Sequence, residues 1–392
     1  MKVAEITTFP WFSVGKIASS IMDYLNNNGS ICKLFYARDY REGGNYIKFA
    51  NKFEIYSNAL SARIFDNDGF CCSFSTNKLI KELDNFKPDI VHLHTAHGYY
   101  LNIKKLFSYL NENNIKIVRT MHDAWAITGH CAFFGDGSCN NWLNSDCRYC
   151  KFKNEYPKSV FLNRAHDNYL KKKSIYNIFD NNNLYIVSPS NWLNSLIDKS
   201  MLEKFNRYVI HNGIDQDKYK NLKLHRNKIL LCVASVWEKR KNLTKILEVS
   251  HNLKERNIVI IGNVPKEIKK GVYKNIEFIK RTTSIEELVK LYNTCSLLFN
   301  PTLSDNLPTV NIEAQLCGLP VVCYNVGGNS ETNCGKLLII NRNELINDKF
   351  LDNCLSDLSN KSITDYKIFD QSYMAAQYYE LFKKMFYNEG WQ

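Results

Sequence analysis

Two carboxylates carry the strongest chemical signal in this chain. Asp305 and Glu313 lie in Asn300-Pro301-Thr302-Leu303-Ser304-Asp305-Asn306-Leu307-Pro308-Thr309-Val310-Asn311-Ile312-Glu313-Ala314, with seven residues between them. Asp305 falls in a polar loop after an apolar run. Pro308 suits the first helical position, where its missing N–H would have been unpaired anyway. Gly318 and Pro320 mark the helix end. A helix from about 308 to 317 follows, with Glu313 in its second turn. The N–H groups of its first turn and the positive end of its dipole form an anion site. The acids themselves would repel a phosphate, so they belong on neutral hydroxyls as charge-assisted acceptors. One acid for sugar hydroxyls, one for ribose hydroxyls and a helix N-terminus for a diphosphate make a cradle for a nucleotide sugar. Spacing alone equally suits a solvated loop acid and an early-helix glutamate favoured by the dipole.

Other residues could complete such a site. Arg240 and Lys241 follow a strand in Trp237-Glu238-Lys239-Arg240-Lys241-Asn242-Leu243, and Arg281 follows the apolar run Ile276–Ile279. Cations there can neutralise a departing diphosphate, and each alone also fits a solvated surface charge. Ser13-Val14-Gly15-Lys16-Ile17 links a first strand to a first helix, where Gly15 would let a phosphate or sugar approach the helix N-terminus. It is not a P-loop, and the chain has no G-x-G-x-x-G fingerprint. His122, before Asp123, stands at a strand end and reads either as a hydrogen-bonded structural residue or as a sugar-positioning one. Strand alternation puts His92 and His94 on one face. With His97 and Asp89 they read as packing or acceptor-side residues rather than a metal set. The acid pairs Asp66-Asn67-Asp68, in a polar loop, and Asp215-Gln216-Asp217, at a linker, do not read as metal sites.

Cys131, Cys139, Cys147 and Cys150 have the spacing C-x7-C-x7-C-x2-C in a loop-rich segment with Gly129, Gly135 and Gly137. Only the last pair is a regular zinc knuckle. A structural zinc, reduced packing thiols and disulfides are the three readings.

These residues need elements to position them. Strand-like runs (Val3–Ile6, Asp89–His94, Ile115–Thr120 and Leu184–Ser188) alternate with helical patterns such as Ile17–Leu25. Asn212-Gly213 is a turn signal. The pattern then restarts at Ile229–Ala234 and continues through Ile258–Gly262, Ile276–Ile279, Ser296–Phe299 and Pro320–Cys323. The chain therefore reads as α/β, with two doubly wound Rossmann-like domains facing across a cleft. The expected division is 1–212, with a cysteine-rich insert at 129–152; a linker at 213–227; a second domain at 228–372; and a terminal helix at 373–392 packing back on the first domain. Ligands in such folds bind beyond the carboxyl ends of the strands.

Composition sets the outer bounds. At 392 residues, two domains are expected. Hydrophobic residues make up 45% and charged residues 23%, which is globular. No apolar run approaches the roughly 20 residues that span a bilayer, and the N-terminus reads as a strand rather than a signal peptide, so a cytoplasmic protein is expected. The 13 cysteines, odd in number and scattered, fit a reducing compartment. Lys and Arg outnumber Asp and Glu by 51 − 39 = 12. Such a surface favours nucleotides, nucleic acid or an anionic leaflet, or reflects Lys-rich coding.

Taken together, Gly15-Lys16, Pro88–His94, Thr120-Met121-His122-Asp123, Ser188-Pro189-Ser190, Asn212–Asp215, Arg240-Lys241, Arg281 and the Asp305/Glu313 motif running into Cys317–Val322 resemble the retaining glycosyltransferases of family four, which have the GT-B fold. The resemblance is closest to bacterial enzymes of capsule, exopolysaccharide and O-antigen assembly. It implies a hexosyl transfer from a nucleotide diphosphate sugar, a UDP-sugar in first place, to a glycan or polyprenyl-diphosphate-linked sugar. It also implies no cofactor for catalysis, no nucleic-acid partner and peripheral contact with the inner face of the cell membrane. Glu313 would hold the ribose, Asp305 the hexose hydroxyls in place of a more usual Glu, and Lys241 the diphosphate. Backbone around Leu307, Pro308 and Thr309 would meet sugar and phosphate, and His122 would sit by the reacting sugar. Ser235 stands where the family usually has a diphosphate-binding Arg, a charge that Arg240 or Arg281 would supply. Phe9, Trp11 and Phe12 could touch sugar or lipid. A sugar-nucleotide epimerase or hydrolase on the same fold, and a degenerate binding subunit, are the alternatives.

Overall fold

The computed structural model describes residues 1–134, 139–269 and 271–387. Gly135 and Gly137 of the cysteine-rich segment, and the last five residues of the expected terminal helix, lie outside the described residues. The chain divides into two compact units. The first runs from Met1 to Gly213 and takes up the chain again at Gln371; the second covers Ile214–Asp370.

The first unit contains, in order, β1 (Lys2–Thr7), α1 (Phe12–Asn27), β2 (Ile31–Tyr36), β3 (Tyr46–Lys48), α2 (Lys52–Phe65), α3 (Ser73–Phe86), β4 (Ile90–Leu93), α4 (Ile103–Glu112), β5 (Lys116–Thr120), α5 (Asn141–Asn144), α6 (Ala165–Asn177), β6 (Leu184–Ser188), α7 (Asn191–Ile197) and β7 (Asn206–Val209). The second contains β8 (Asn227–Val236), α8 (Leu243–Asn252), β9 (Asn257–Asn263), α9 (Lys266–Lys269), β10 (Ile276–Ile279), α10 (Ile285–Thr294), β11 (Cys295–Asn300), α11 (Thr309–Leu316), β12 (Val321–Tyr324), β13 (Leu337–Ile340) and α12 (Asp348–Ser359). The last helix, α13 (Gln371–Tyr387), belongs to the first unit.

Both sheets are parallel. Their orders are β3-β2-β1-β4-β5-β6-β7 and β10-β9-β8-β11-β12-β13. Each is a doubly wound arrangement whose order reverses once, between β1 and β4 in one sheet and between β8 and β11 in the other. Central strands such as β4 and β11 are buried along their whole length, as parallel strands covered on both faces must be. Alternate residues of β1 feed opposite cores. Ala4 and Ile6 face a core shared with α3 and α4, whereas Val3 faces one shared with α1 and α13, which brings Met374, Tyr378 and Phe382.

Gly15 is placed differently from its sequence reading. Helix α1 begins at Phe12, so Gly15 is already inside the helix and buried. A Cβ there would lie 2.4 Å from the Phe9 carbonyl oxygen and 2.7 Å from the Pro10 carbonyl carbon. The missing side chain is used by the β1–α1 loop folding back on its own helix, and it leaves no opening for a ligand at this position. Lys16 beside it is exposed.

Candidate active site

The reversal point of the second sheet is where a doubly wound fold opens a crevice beyond its strand ends. Two loops meet there, Trp237–Asn242 after β8 and Pro301–Pro308 after β11. They are knitted by backbone bonds. The Leu303 N–H donates to the Arg240 carbonyl at 2.7 Å, and the Thr302 hydroxyl donates to the same oxygen at 3.2 Å. The Asn242 side-chain amide donates to the Pro301 carbonyl at 3.3 Å.

Within this frame Asp305 Oδ2 lies 2.5 Å from Lys241 Nζ and 3.4 Å from Arg240 Nη1. All three side chains are less than one-fifth exposed. Burial alone would raise the Asp305 carboxyl; the Lys241 and Arg240 charges outweigh it and hold the group below its ordinary value. Arg240 is itself fixed by donating to the Ser304 carbonyl at 3.1 Å and to Glu238 at 3.0 Å. Asp305, Arg240 and Lys241, distant in sequence, are thus one cluster. The expectation that these cations face only a diphosphate needs this addition: in this structure their counter-charge is Asp305.

Helix α11 starts one residue later than its sequence signals suggest. Pro308 has extended backbone (φ −72°, ψ 103°) and caps the helix rather than opening it, with the Asn311 N–H donating to its carbonyl at 3.1 Å. Thr309 is the first helical residue. The far end is as Gly318 indicated: its φ is +74°, its N–H donates to Gln315, and the Leu319 N–H donates to Ala314. Leu307 is buried against Ile312, Leu316 and Phe369, which anchors the loop. Glu313, on the second turn, accepts the Tyr292 hydroxyl at 3.0 Å. Burial, with the Glu313 charge second, pushes the Tyr292 phenol well above its usual value.

A partner not singled out in the sequence is Gly327-Gly328. Gly327 has φ +57°, and a Cβ there would lie 1.9 Å from the Asp305 carbonyl oxygen. The Gly328 N–H donates to that oxygen at 3.1 Å. The signal was a glycine pair in the loop after a strand, with two residues between it and the end of β12. Arg281 is not in the cluster. It is exposed, after edge strand β10, three strand spacings from β11, or about 14 Å. Ser235, at the end of β8, is also exposed.

In the first unit the reversal point lies between β1 and β4, with β5 next. His122 is half-buried just past β5, its Nε2 3.0 Å from His94 Nδ1 and its ring nearly parallel to that of His94. Asp123 turns away to His97 Nε2 at 2.6 Å and accepts the Trp125 N–H at 2.9 Å. Burial would raise Asp123, but His97 and these donors bring it down to about 2. Asp66 and Asp68, read as a loop pair, are both buried: Asp66 binds His130 at 2.5 Å, and Asp68 accepts the Gly98 and Tyr99 N–H groups.

In the cysteine-rich segment Cys131, Cys147 and Cys150 are buried and Cys139 half-buried. The Cys131 and Cys150 sulfurs are 3.1 Å apart, and Cys147 Sγ accepts the Gly129 N–H at 3.1 Å. The Cys131 thiol, donating to Cys150, brings the Cys150 thiol down to about 7. Among the described residues, the group whose ligand atoms gather within 4.8 Å is not these thiols but Glu5, His92 and His94.

Two doubly wound parallel sheets, the second with a cation–carboxylate cluster at its reversal point, are the arrangement expected of a GT-B fold. Residues 227–356 match the family model described as Glycosyl transferases group 1. The chain is 25% identical over 296 residues to WcaC of Escherichia coli (strain K12), described as a colanic acid biosynthesis glycosyl transferase; the match covers 70% of this chain and 69% of WcaC. The fold is similar to that of sucrose-phosphate synthase from Thermosynechococcus elongatus, with TM-score 0.69 and 12% identity over 99% of this chain and 100% of that one. It is also similar to HepE of Anabaena in complex with UDP-glucose, with TM-score 0.62 and 14% identity over 98% of this chain and 100% of HepE. The chain is a glycosyltransferase, with its group 1 domain in the second unit.

Proposed function

We propose that this enzyme transfers a hexose, with retention and without a catalytic metal, from a UDP-sugar to a glycan or polyprenyl-diphosphate-linked sugar in bacterial surface polysaccharide assembly. The observation that carries this reading is the Asp305–Lys241–Arg240 cluster at the crevice of the group 1 domain. WcaC supports the polysaccharide setting, and the UDP-glucose complex of HepE supports the donor class. Lys241 and Arg240 take the diphosphate, with the backbone at Leu307, Pro308 and Thr309 beside it. Asp305 accepts hexose hydroxyls, and Glu313 accepts the ribose hydroxyls. His122 holds the reacting sugar by a hydrogen bond. The bond from the anomeric carbon to the phosphate oxygen breaks, and the bond to the acceptor oxygen forms on the same face. The acceptor proton passes to the departing phosphate.

A donor panel tests this. Uridine, guanosine and adenosine diphosphate sugars are compared by thermal shift and by slow hydrolysis. A uridine diphosphate sugar should raise Tm and be hydrolysed, with no loss of activity in chelator. Binding confined to another base overturns the donor assignment, and loss of activity in chelator that magnesium or manganese restores, and zinc does not, overturns metal independence.

The same reading makes Cys131, Cys139, Cys147 and Cys150 ligands of a structural zinc that ties down a segment lacking its own core. The amide donor on Cys147 suits a thiolate, whereas the Cys131 and Cys150 sulfurs, 3.1 Å apart and sharing a proton, would have to lose it and spread to the roughly 3.8 Å edge of a tetrahedral site, with Cys139 and Cys147 drawing in to complete the set. Elemental analysis of chelator-free protein should find about one zinc per chain; none overturns the site.

A further inference from the structure

Beneath His122 lies a chain of buried polar groups that the transfer reaction has not yet used. Register pairs Glu5 of β1 with His92 of β4, and alternation puts His94 on the same face. Thr120 of β5 shares that face, which α13 covers with Tyr378 and Phe382. Glu5, His92, His94 and Thr120 are fully buried. Glu5 lies 3.0 Å from His92 Nδ1 and 2.6 Å from His94 Nε2. His92 Nε2 lies 2.7 Å from the Thr120 hydroxyl, which lies 2.9 Å from the Tyr378 hydroxyl. His94 Nδ1 lies 3.0 Å from His122 Nε2.

Proton counting gives this chain a direction. Glu5 is the shared acceptor of two imidazoles: burial raises its carboxyl, the His94 hydrogen bond and charge oppose that, and as a carboxylate it only accepts, so both histidines donate to it. Burial brings His92 and His94 down to about 3, so both rings are neutral and each carries one proton. Their other nitrogens must then accept. The Tyr378 hydroxyl donates to Thr120, and Thr120 donates to His92 Nε2. On the other branch, His122 Nε2–H donates to His94 Nδ1. Burial also brings His122 down to about 3, so it too is neutral, and its Nδ1 carries the lone pair.

We propose that Glu5 and His94 are positioning residues that hold His122 as its Nε2–H tautomer, presenting Nδ1 to accept a hydrogen bond from a sugar hydroxyl. The proposal rests on the reading that His122 meets the reacting sugar. It adds the reason a carboxylate is buried in the first strand: the acid sets the proton of a ring two hydrogen bonds away. The 2.6–3.0 Å spacings among Glu5, His92 and His94 are accounted for by N–H···O bonds, without an ion.

The test is imidazole nitrogen NMR of the full chain labelled with 15N-histidine, with His122 assigned through H122Q. Wild-type His122 should show the Nε2–H pattern. Glu5→Gln keeps the shape but must donate one N–H to His92 or to His94; the amide that turns its N–H to His94 sends a reversed proton order to His122, whose spectrum should gain an Nδ1–H population. Hydrolysis of UDP-glucose should fall about 10–100-fold in kcat, with KM within about 2-fold. Glu5→Asp, which keeps the charge, should restore the wild-type tautomer. Tyr378→Phe, on the other branch, should leave it unchanged. An Nδ1–H His122 in the wild type overturns the proposal, even if Glu5→Gln does not fold. Full turnover in H122Q would instead overturn the reading of His122 in transfer, while the wild-type spectrum still judges the relay.

Discussion

Asp305 is bound to two cations before any donor arrives, and this decides what its loss should do. On the proposed roles, Asp305→Asn frees Lys241 and Arg240 for a diphosphate and removes the hexose acceptor. UDP should therefore bind as well as to the wild type or more tightly. Turnover of the donor sugar should fall about 10–100-fold, the worth of a hydrogen bond to a charged group. Calorimetry with UDP beside steady-state kinetics checks the split, and a parallel loss of both contradicts it. Glu313→Gln should behave oppositely, weakening UDP about 10-fold through the ribose. Gly15 marks a third kind of residue. Its absent Cβ makes room for the Phe9 carbonyl, so Gly15→Ala should lower stability by about 1–3 kcal/mol and leave UDP affinity unchanged. Denaturant melts and calorimetry separate this packing role from the donor contact that the sequence suggested.

At the scale of elements, the knot at the end of α2 has a definite pH signature. Asp66, the left-handed cap of α2, accepts His130 Nδ1 and the Arg164 N–H at the start of α6, and its carbonyl accepts the Asn168 amide. Burial would lower His130, but the Asp66 hydrogen bond and charge raise it above 6.5. A raised histidine binds its proton more tightly when folded. Its stabilisation is full below pH 6.5 and is lost as pH rises through the folded value. Asp66→Asn should cost about 3 kcal/mol at pH 6, and the gap to wild type should narrow as pH rises. Melts across that range check it; a constant gap refutes the pair's charge. This knot was hidden in the sequence because Asp66-Asn67-Asp68 reads as a polar loop and His130 and Arg164 are distant. Strands β1, β4, β5, β6 and β8 through β12 were legible, because parallel strands covered on both faces are near-continuous apolar runs. Strands β2, β3, β7 and β13 were not: Lys33 interrupts β2, β3 has three residues, and Asn206 and Arg207 make half of β7 polar. The end of α11 was legible from Gly318, because a left-handed cap demands glycine. The union of Asp305 with Arg240 and Lys241 was not, because it depends on β8 and β11 being neighbours.

For the whole molecule, several exposed apolar side chains gather at α2. Phe53, Tyr56 and Leu60 fall on one face of α2 and are 83%, 63% and 59% exposed. Phe74, beside the Glu54 that caps it, is 82% exposed. The Val160 N–H donates to the Arg63 carbonyl, which sets exposed Phe161 next to the end of α2. Lys52 and Arg63 flank the face, and Glu54 is engaged by the Phe74 and Ser75 amides. No described helix is long and apolar enough to cross a membrane. Exposed aromatics with flanking cations instead suit the interface of an anionic leaflet, where the acceptor's lipid would lie. By contrast, Trp11 donates to Asp39 and Phe9 packs edge-on to Phe12, so the β1–α1 aromatics are more engaged with their own unit. The enzyme should float with phosphatidylglycerol vesicles and release in about 0.5 M salt, where screening shortens to a few ångströms. Changing Phe53, Tyr56 and Leu60 to Ala should cut vesicle binding at least about 10-fold, since each loses buried apolar area, while UDP affinity stays unchanged. Equal flotation with neutral vesicles contradicts the anionic-leaflet reading, and full binding by the triple variant contradicts α2 as the contact.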